Sequence, residues 1–406
     1  MNILFLTMSS QMLDISASGI YTDLVRKFRN EGHQIYIIAP FERRTGRKTD
    51  LSQEAGVHLL GVKTLNVTKT NVIEKGIGQI LMEYQFNVAL KNYLSDVKFD
   101  LILYSTPPIT YTRVIECAKK KNPNAVTYLL LKDIFPQNAI DLGMLTKSGL
   151  KGILYKSFRN KERKLYALSN YIGCMSPANV KYVLAHNPEI SASIVEIAPN
   201  SFDEKSEISI SNEMRCKIRE KYKLPLDKPV LIYGGNLGKP QGIPFLVDCL
   251  EANRNRQDCH FVIVGNGTDY EIINNWVINT KPLNVSLFKR LPKEEYDLLA
   301  NACDVGLIFL DYRFTIPNYP SRLLSYLMNK QPVIAATDPN CDTGSIAEKN
   351  GYGFWCPSNN VEFFTETINK MLTSNIKAMG EKGYQFYLNN YTIQHTYNAI
   401  VKHIKM

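Results

Sequence analysis

The chain has 406 residues, above the roughly 250–300 at which one hydrophobic core stops growing, so two domains are expected. At 45% hydrophobic and 21% charged it is globular in composition, which excludes disordered and fibrous classes. The net charge of +10 is uneven: residues 1–200 carry 25 basic against 16 acidic side chains, a net of +9, and the remainder 23 against 22. The first half is therefore expected to meet something anionic.

Met1–Thr7 lacks a basic n-region and a small-residue cleavage site, and reads as a first strand. A polar loop, Ser16-Ala17-Ser18-Gly19, leads to a helix over 20–30 with Tyr21, Leu24, Val25 and Phe28 on one face. That loop either offers amide donors or has Ser18 as an ordinary N-cap. Glu31-Gly32-His33 closes the helix ahead of a strand at 34–40. A helix at 80–93, a strand at 101–104, a helix at 109–121 and a strand at 125–131 continue the alternation. Residues 203–228, polar and charge-dense, read as a linker plus one helix. A second series has strands at 229–233, 261–264, 285–288, 305–310 and 332–335.

Strands apolar on both faces fit parallel sheets covered by helices. The expected fold is α/β, with two doubly wound Rossmann-like domains facing across a cleft. Their expected bounds are 1–202 and 203–383, with a last helix of about 384–406 crossing back to the first. No apolar run approaches the roughly 18–20 residues of a membrane-spanning helix; Val305–Leu310 is typical of the longest. The eight cysteines form no C-x-x-C and read as buried free thiols. With no H-x-x-x-H and no D-x-D, no metal is expected.

Ligands in such sheets bind beyond the carboxyl ends of strands, so the loops there are the candidates. Val230–Tyr233 runs into Gly234-Gly235-Asn236-Leu237-Gly238-Lys239-Pro240-Gln241-Gly242 and then a helix. Such a turn lets backbone N–H groups approach an anion, with Lys239 as a formal charge; the alternative is a turn needed only for packing. It matches neither G-x-G-x-x-G nor the P-loop pattern. Gly265-Asn266-Gly267 repeats the arrangement after the next strand, Lys289-Arg290 follows the one after, and Pro320-Ser321-Arg322 opens a helix. Together these loops suggest a phosphate-bearing ligand. In the first half, Lys132 and Asp133 end an apolar strand, where Asp133 either handles a proton or caps the turn before Pro136. Lys147, Lys151, Lys156, Arg159, Lys161, Arg163 and Lys164 oppose a single Glu162, with Leu150, Ile153, Leu154, Phe158 and Leu165 at helical spacing. This reads as an amphipathic helix lying on an anionic membrane surface, against a plain core helix with solvated lysines.

The chain resembles glycosyltransferase family 4, retaining enzymes of GT-B fold, over nearly its whole length, with bacterial capsule and O-antigen N-acetylfucosaminyl-type transferases as the nearest likeness. The resemblance is carried by Glu31-Gly32-His33-Gln34-Ile35, Ser105-Thr106-Pro107-Pro108, Lys132–Pro136 with Asp141-Leu142-Gly143, and Met175-Ser176-Pro177. Pro199–Asp203, Gly234–Gly238 with Gln241-Gly242, and Pro320–Leu323 extend it. It implies transfer of a sugar, N-acetylated in the nearest likeness, from a UDP-sugar to a polyprenyl-diphosphate-linked acceptor. No metal or other cofactor and no nucleic acid are implied. The implied place is cytoplasmic, peripheral on the inner face of the membrane. Asp133 and Lys132 fall at the catalytic position. Gly19, Gly235, Asn236, Gly238, Lys239, Gln241, Gly265, Arg290, Leu291, Ser321, Arg322 and Ser325 fall at donor-binding positions, with Arg322 meeting the leaving diphosphate. The chain departs from the family in having Asn236 and Gln241 where an Arg and a Lys are common. It also has Ser325, and no earlier partner, in place of a glutamate pair that ends on the donor ribose. The alternatives are a non-hydrolysing nucleotide-sugar 2-epimerase of the same architecture and a catalytically silent binding subunit.

Overall fold

The computed structural model describes residues 1–404 apart from 10, 11, 13, 68–71 and 205–209. The expected linker at 203–228 and the expected helix at 384–406 thus lie partly outside the described residues. The chain divides into two compact units, Met1–Asp203 with Tyr391–Met406, and Glu204–Asn390.

The first unit is built on eight strands: β1 (Asn2–Leu6), β2 (Gln34–Glu42), β3 (Asp50–Glu54), β4 (Val57–Thr64), β5 (Leu101–Ser105), β6 (Val126–Leu131), β7 (Tyr171–Cys174) and β8 (Val195–Ile197). Their order is β3-β4-β2-β1-β5-β6-β7-β8, parallel except where β3 pairs antiparallel with β4. Ile3, Leu4, Phe5 and Leu6 are all buried, as a strand covered on both faces requires. Helix Ile20–Asn30 turns Leu24, Val25 and Phe28 into the same core.

The second unit carries β9 (Val230–Asn236), β10 (His260–Asn266), β11 (Val285–Phe288), β12 (Val305–Phe309), β13 (Val333–Thr337) and β14 (Gly353–Pro357), in the order β11-β10-β9-β12-β13-β14. All pairings are parallel. The winding reverses between β9 and β12, and loops leaving those strands part in opposite directions, which opens a crevice at their carboxyl ends. The first unit reverses in the same way between β1 and β5.

The expected helix at 384–406 is instead two. Ile376–Asn390 belongs to the second unit and Ile393–Val401 to the first. The break falls at Thr392, whose extended backbone starts the new helix. Phe202 bridges Thr392, Ile393 N–H donates to the Phe202 carbonyl at 2.9 Å, and Thr396 Oγ1 donates to the Pro199 carbonyl at 2.8 Å. Ile393, Tyr397 and Ile400 then enter the core around β1, with Tyr397 Oη 3.0 Å from His33 Nε2.

Ile400→Ala deletes a fully buried side chain and should cost the first unit about 2–5 kcal/mol. Both tryptophans, Trp276 and Trp355, lie in the second unit. The urea midpoint followed by circular dichroism should therefore fall, while that followed by tryptophan fluorescence holds.

Candidate functional site

The crevice of the second unit is shaped by two glycines. β9 ends in Gly234-Gly235-Asn236, and Gly235 has φ +135, a backbone that side chains rarely adopt. A Cβ there would also stand 3.1 Å from Nη2 of Arg322. On β10, Gly265 lies beside Gly235, and a Cβ at 265 would meet the Gly235 carbonyl oxygen at 1.9 Å. No side chain fits at 265, and one at 235 would be strained.

Arg322, first residue of the helix Arg322–Met328, reaches under this turn with its guanidinium 4.4 Å from the centre of the Tyr233 ring. Its Nη1 is buried without a hydrogen-bond partner, and no carboxylate pairs with Arg322 among the described residues. A cation half-buried against an aromatic face, with one nitrogen fully buried and no counter-charge, is costly until an anion arrives. Two further tyrosines complete the surround. Tyr326 Oη accepts from Gly234 N–H at 3.2 Å and donates to the Ile232 carbonyl at 3.1 Å. Tyr296 fills the space beside Gly234, where a Cβ would lie 1.9 Å from its Oη, and burial pushes its phenol up to about 12. Sequence reasoning missed these tyrosines because a tyrosine at a strand end or on a helix looks like any core aromatic.

The remaining donor-side residues spread outward. Asn236 Nδ2 donates to Gln241 Oε1 at 2.7 Å and so closes the loop containing buried Gly238. Lys239 is exposed in the turn Lys239–Gln241. Ser321 is exposed and Ser325 half-buried one turn into its helix. Exposed Arg290 and half-buried Leu291 follow β11, at the sheet edge, two strands from β9. Gly19 belongs to the first unit, where its N–H donates to Asp23 Oδ1 at 3.0 Å. Asp338, which sequence reasoning also missed, follows β13 fully buried. Its Oδ1 accepts from Asn340 and Cys341 N–H at 2.9 and 3.0 Å, its Oδ2 has no partner, and burial pushes the carboxyl up to about 7.

In the first unit, the loop after β6 is stitched to the loop after β5 through Thr106. Its Oγ1 accepts from Lys132 N–H at 3.0 Å and Asp133 N–H at 3.2 Å, and donates to the Asp133 carbonyl at 3.0 Å. Asp133 is half-buried, with Asn138 Nδ2 at 2.9 and 2.8 Å from its two oxygens. Burial pushes its carboxyl up to about 6, with the nearby Glu162 adding to the rise. Lys132 points its amine at the Ala198 carbonyl, 3.0 Å away, and burial pulls its pKa down to about 7. That contact makes Lys132 an anchor between β6 and the segment after β8, beside the carboxyl rather than part of it.

The basic stretch forms the helix Gly149–Ala167, and its residues divide. Arg159, expected to meet a membrane, is instead drawn inward: Nη1 donates to buried Glu162 at 2.7 Å, and Nη2 donates to the His186 carbonyl and Asn187 Oδ1 at 2.8 and 2.6 Å. Lys164 pairs with Glu116 at 2.8 Å, and Arg163 approaches Glu189 at 3.7 Å. Lys147, Lys151 and Lys156 are exposed and Lys161 half-buried. Leu150, Ile153 and Leu154 are 87%, 67% and 50% exposed, whereas Leu165 is buried. Among the described residues no helix is long and apolar enough to cross a membrane, and no group of three or more His, Cys, Asp or Glu is placed to hold a metal ion.

Residues 214–386, nearly the whole second unit, match the family described as Glycosyl transferases group 1. Over 385 residues the chain is 22% identical to the probable glycosyltransferase WbjE of Pseudomonas aeruginosa, covering 90% of this chain and 88% of that one. Among solved structures it is similar to sucrose-phosphate synthase from Thermosynechococcus elongatus, with a TM-score of 0.74 at 13% identity over 99% of this chain and 97% of that one. It is also similar to Anabaena Alr3699/HepE, solved in complex with UDP and glucose, with a TM-score of 0.70 at 13% identity over 99% of both chains. The fold is GT-B.

Gly265→Ala should destabilise the second unit by about 1–3 kcal/mol, because its methyl meets a carbonyl oxygen that cannot retreat without separating β9 from β10. A lowered fluorescence-detected melting temperature checks this.

Proposed function

We propose that this chain, a glycosyltransferase of GT-B fold, moves a sugar from a UDP-sugar to a polyprenyl-diphosphate-linked acceptor, with retention and without a metal, as a family 4 enzyme. The observation that carries the donor half is the half-buried Arg322, its Nη1 buried without a partner and short of a counter-charge beneath a glycine turn at the switch point of a Rossmann sheet. A diphosphate set there would gain the guanidinium and the amides of the turn, and would gain most as its charge grows on leaving. The Anabaena neighbour solved with UDP and glucose has the same fold and supports a uridine diphosphate donor. An N-acetylated sugar of the fucosaminyl type and a place in capsule or O-antigen synthesis are part of the reading. Exposed lysines and apolar residues of the helix Gly149–Ala167 support work at an anionic membrane face, with the protein peripheral on its cytoplasmic side.

On the acceptor side Asp133 has the protonation balance of a group that exchanges a proton near neutrality. Above pH 6 it is mostly ionised and able to accept a proton from a sugar hydroxyl; below that pH it is not. Lys132 and Thr106 hold the loop in place rather than touching substrate.

Arg322→Met removes a half-buried, uncompensated cation. The unliganded protein should melt at the same or a higher temperature. UDP at a hundredfold over its wild-type dissociation constant, worth about 2.7 kcal/mol to the native protein, should then no longer raise the melting temperature. Equal stabilisation by UDP in the variant and the wild type would remove Arg322 from the donor site.

The pH dependence follows from the direction of the Asp133 shift. Its folded pKa lies above the unfolded value, so protonation favours the folded state and ionisation above about pH 6 costs stability. Turnover of a UDP-sugar with a lipid-linked acceptor should fall as pH drops through about 6. Asp133→Asn should abolish that limb and most of the turnover, while melting no lower than wild type at pH 8. A wild-type rate flat from pH 5 to 8 would take Asp133 out of the proton transfer.

A further inference from the structure

The first unit contains a cavity of about 170 Å³ between the helix Gly149–Ala167 and the helix Pro177–His186. At roughly 30 Å³ per water it has room for five or six waters. Its lining includes Lys147, Tyr155, Arg159, Glu162, Arg163 and Tyr182.

The charges in it do not cancel. Glu162 is used up: Arg159 donates to one oxygen and Tyr166 Oη to the other, each at 2.7 Å. Arg159 is equally committed, since its second terminal nitrogen serves the His186 carbonyl and Asn187. What remains is Lys147, which has no ion pair among the described residues and stands 5.8 Å from the Tyr155 ring, and Arg163, held only by the 3.7 Å approach to Glu189. Lys147, unpaired among the described residues, and Arg163, in a long exposed ion pair, lie beside Tyr155 and Tyr182 and are the kind of donors that phosphoryl oxygens require.

The cavity has two informative neighbours. Its wall includes Ile134 and Gln137, from the segment that starts at Asp133, and Asn138 there holds the Asp133 carboxylate. The helix that supplies Lys147's neighbours and Arg163 also exposes Leu150, Ile153 and Leu154. One helix therefore offers an apolar surface and a cationic pocket in sequence, which suits an amphiphile whose diphosphate joins a prenyl chain to a sugar.

We infer that this cavity takes the diphosphate of the acceptor and so presents the acceptor sugar to Asp133; the inference rests on the acceptor reading given above. The test is calorimetry on the full chain carrying Arg322→Met, which silences the donor site, with inorganic diphosphate and geranyl diphosphate as probes. Both should bind, and Lys147→Ala with Arg163→Ala should weaken both at least tenfold. Lys147→Arg with Arg163→Lys should restore them, and the exposed-lysine control Lys91→Ala should change them less than twofold. Unaltered circular dichroism melts show that the variants fold. Absence of binding, or equal binding by the double alanine variant, would overturn the site. Binding of inorganic diphosphate alone would overturn its assignment to the acceptor. Cavity-dependent binding of geranyl diphosphate, with a wild-type chain that transfers no sugar from any UDP-sugar tried, would support the site and count against the transfer reading instead.

Discussion

The crevice of the second unit is organised around a cation that no carboxylate pairs with among the described residues. Arg322 is held against Tyr233 with a buried nitrogen that no protein group satisfies. That arrangement dictates its neighbours. Gly235 and Gly265 have no side chain because the guanidinium and the adjacent backbone leave no room. Tyr296 and Tyr326 form the wall: the ring of Tyr296 fills the space beside Gly234, and the hydroxyl of Tyr326 ties down Gly234 and β9 without supplying a negative charge. A carboxylate at any of these positions would pair with the guanidinium and cancel its charge.

The first unit stores the opposite kind of tension. Asp133 is a carboxyl held where its charge is unwelcome, its oxygens on Asn138 and its backbone fixed by the Thr106 hydroxyl. One unit keeps a positive charge that needs a partner, and the other keeps an acid poised to lose or gain a proton. Both occur at the carboxyl ends of parallel strands, where backbone amides and loop freedom coincide.

Much of this was legible from residues alone. Runs such as Ile3–Leu6 and Val305–Phe309 read as doubly covered strands because nothing polar interrupts them, and the Gly-rich turn and Arg322 stood out by their place after a strand and at a helix start. What was missed has physical causes. β3, Asp50-Leu51-Ser52-Gln53-Glu54, is an antiparallel edge strand and carries the polar residues an edge tolerates. The break at Thr392 lies inside an aromatic, helix-like run, and only the pairing with Phe202 reveals it. Arg159 looked like its six basic neighbours, yet Glu162, the single acid in the stretch, turns it inward. Asp338 sits in an Asp-Pro-Asn turn that reads as an ordinary loop, and burial alone sets it apart.

The bridge between Phe202 and Thr392 has a consequence for how the chain comes into being. The first unit is interrupted once, between Asp203 and Tyr391, and the two lips of that interruption are hydrogen-bonded to each other. In topology the second unit is an insertion into the first. A nascent chain usually completes its N-terminal domain first as it leaves the ribosome. Here the order is inverted: the earlier-made sheet lacks Ile393, Tyr397 and Ile400 until that segment emerges, after all of 204–390 has been made. A chain cut between Asn390 and Ile393 would carry a complete second unit joined to a first one that lacks part of its core.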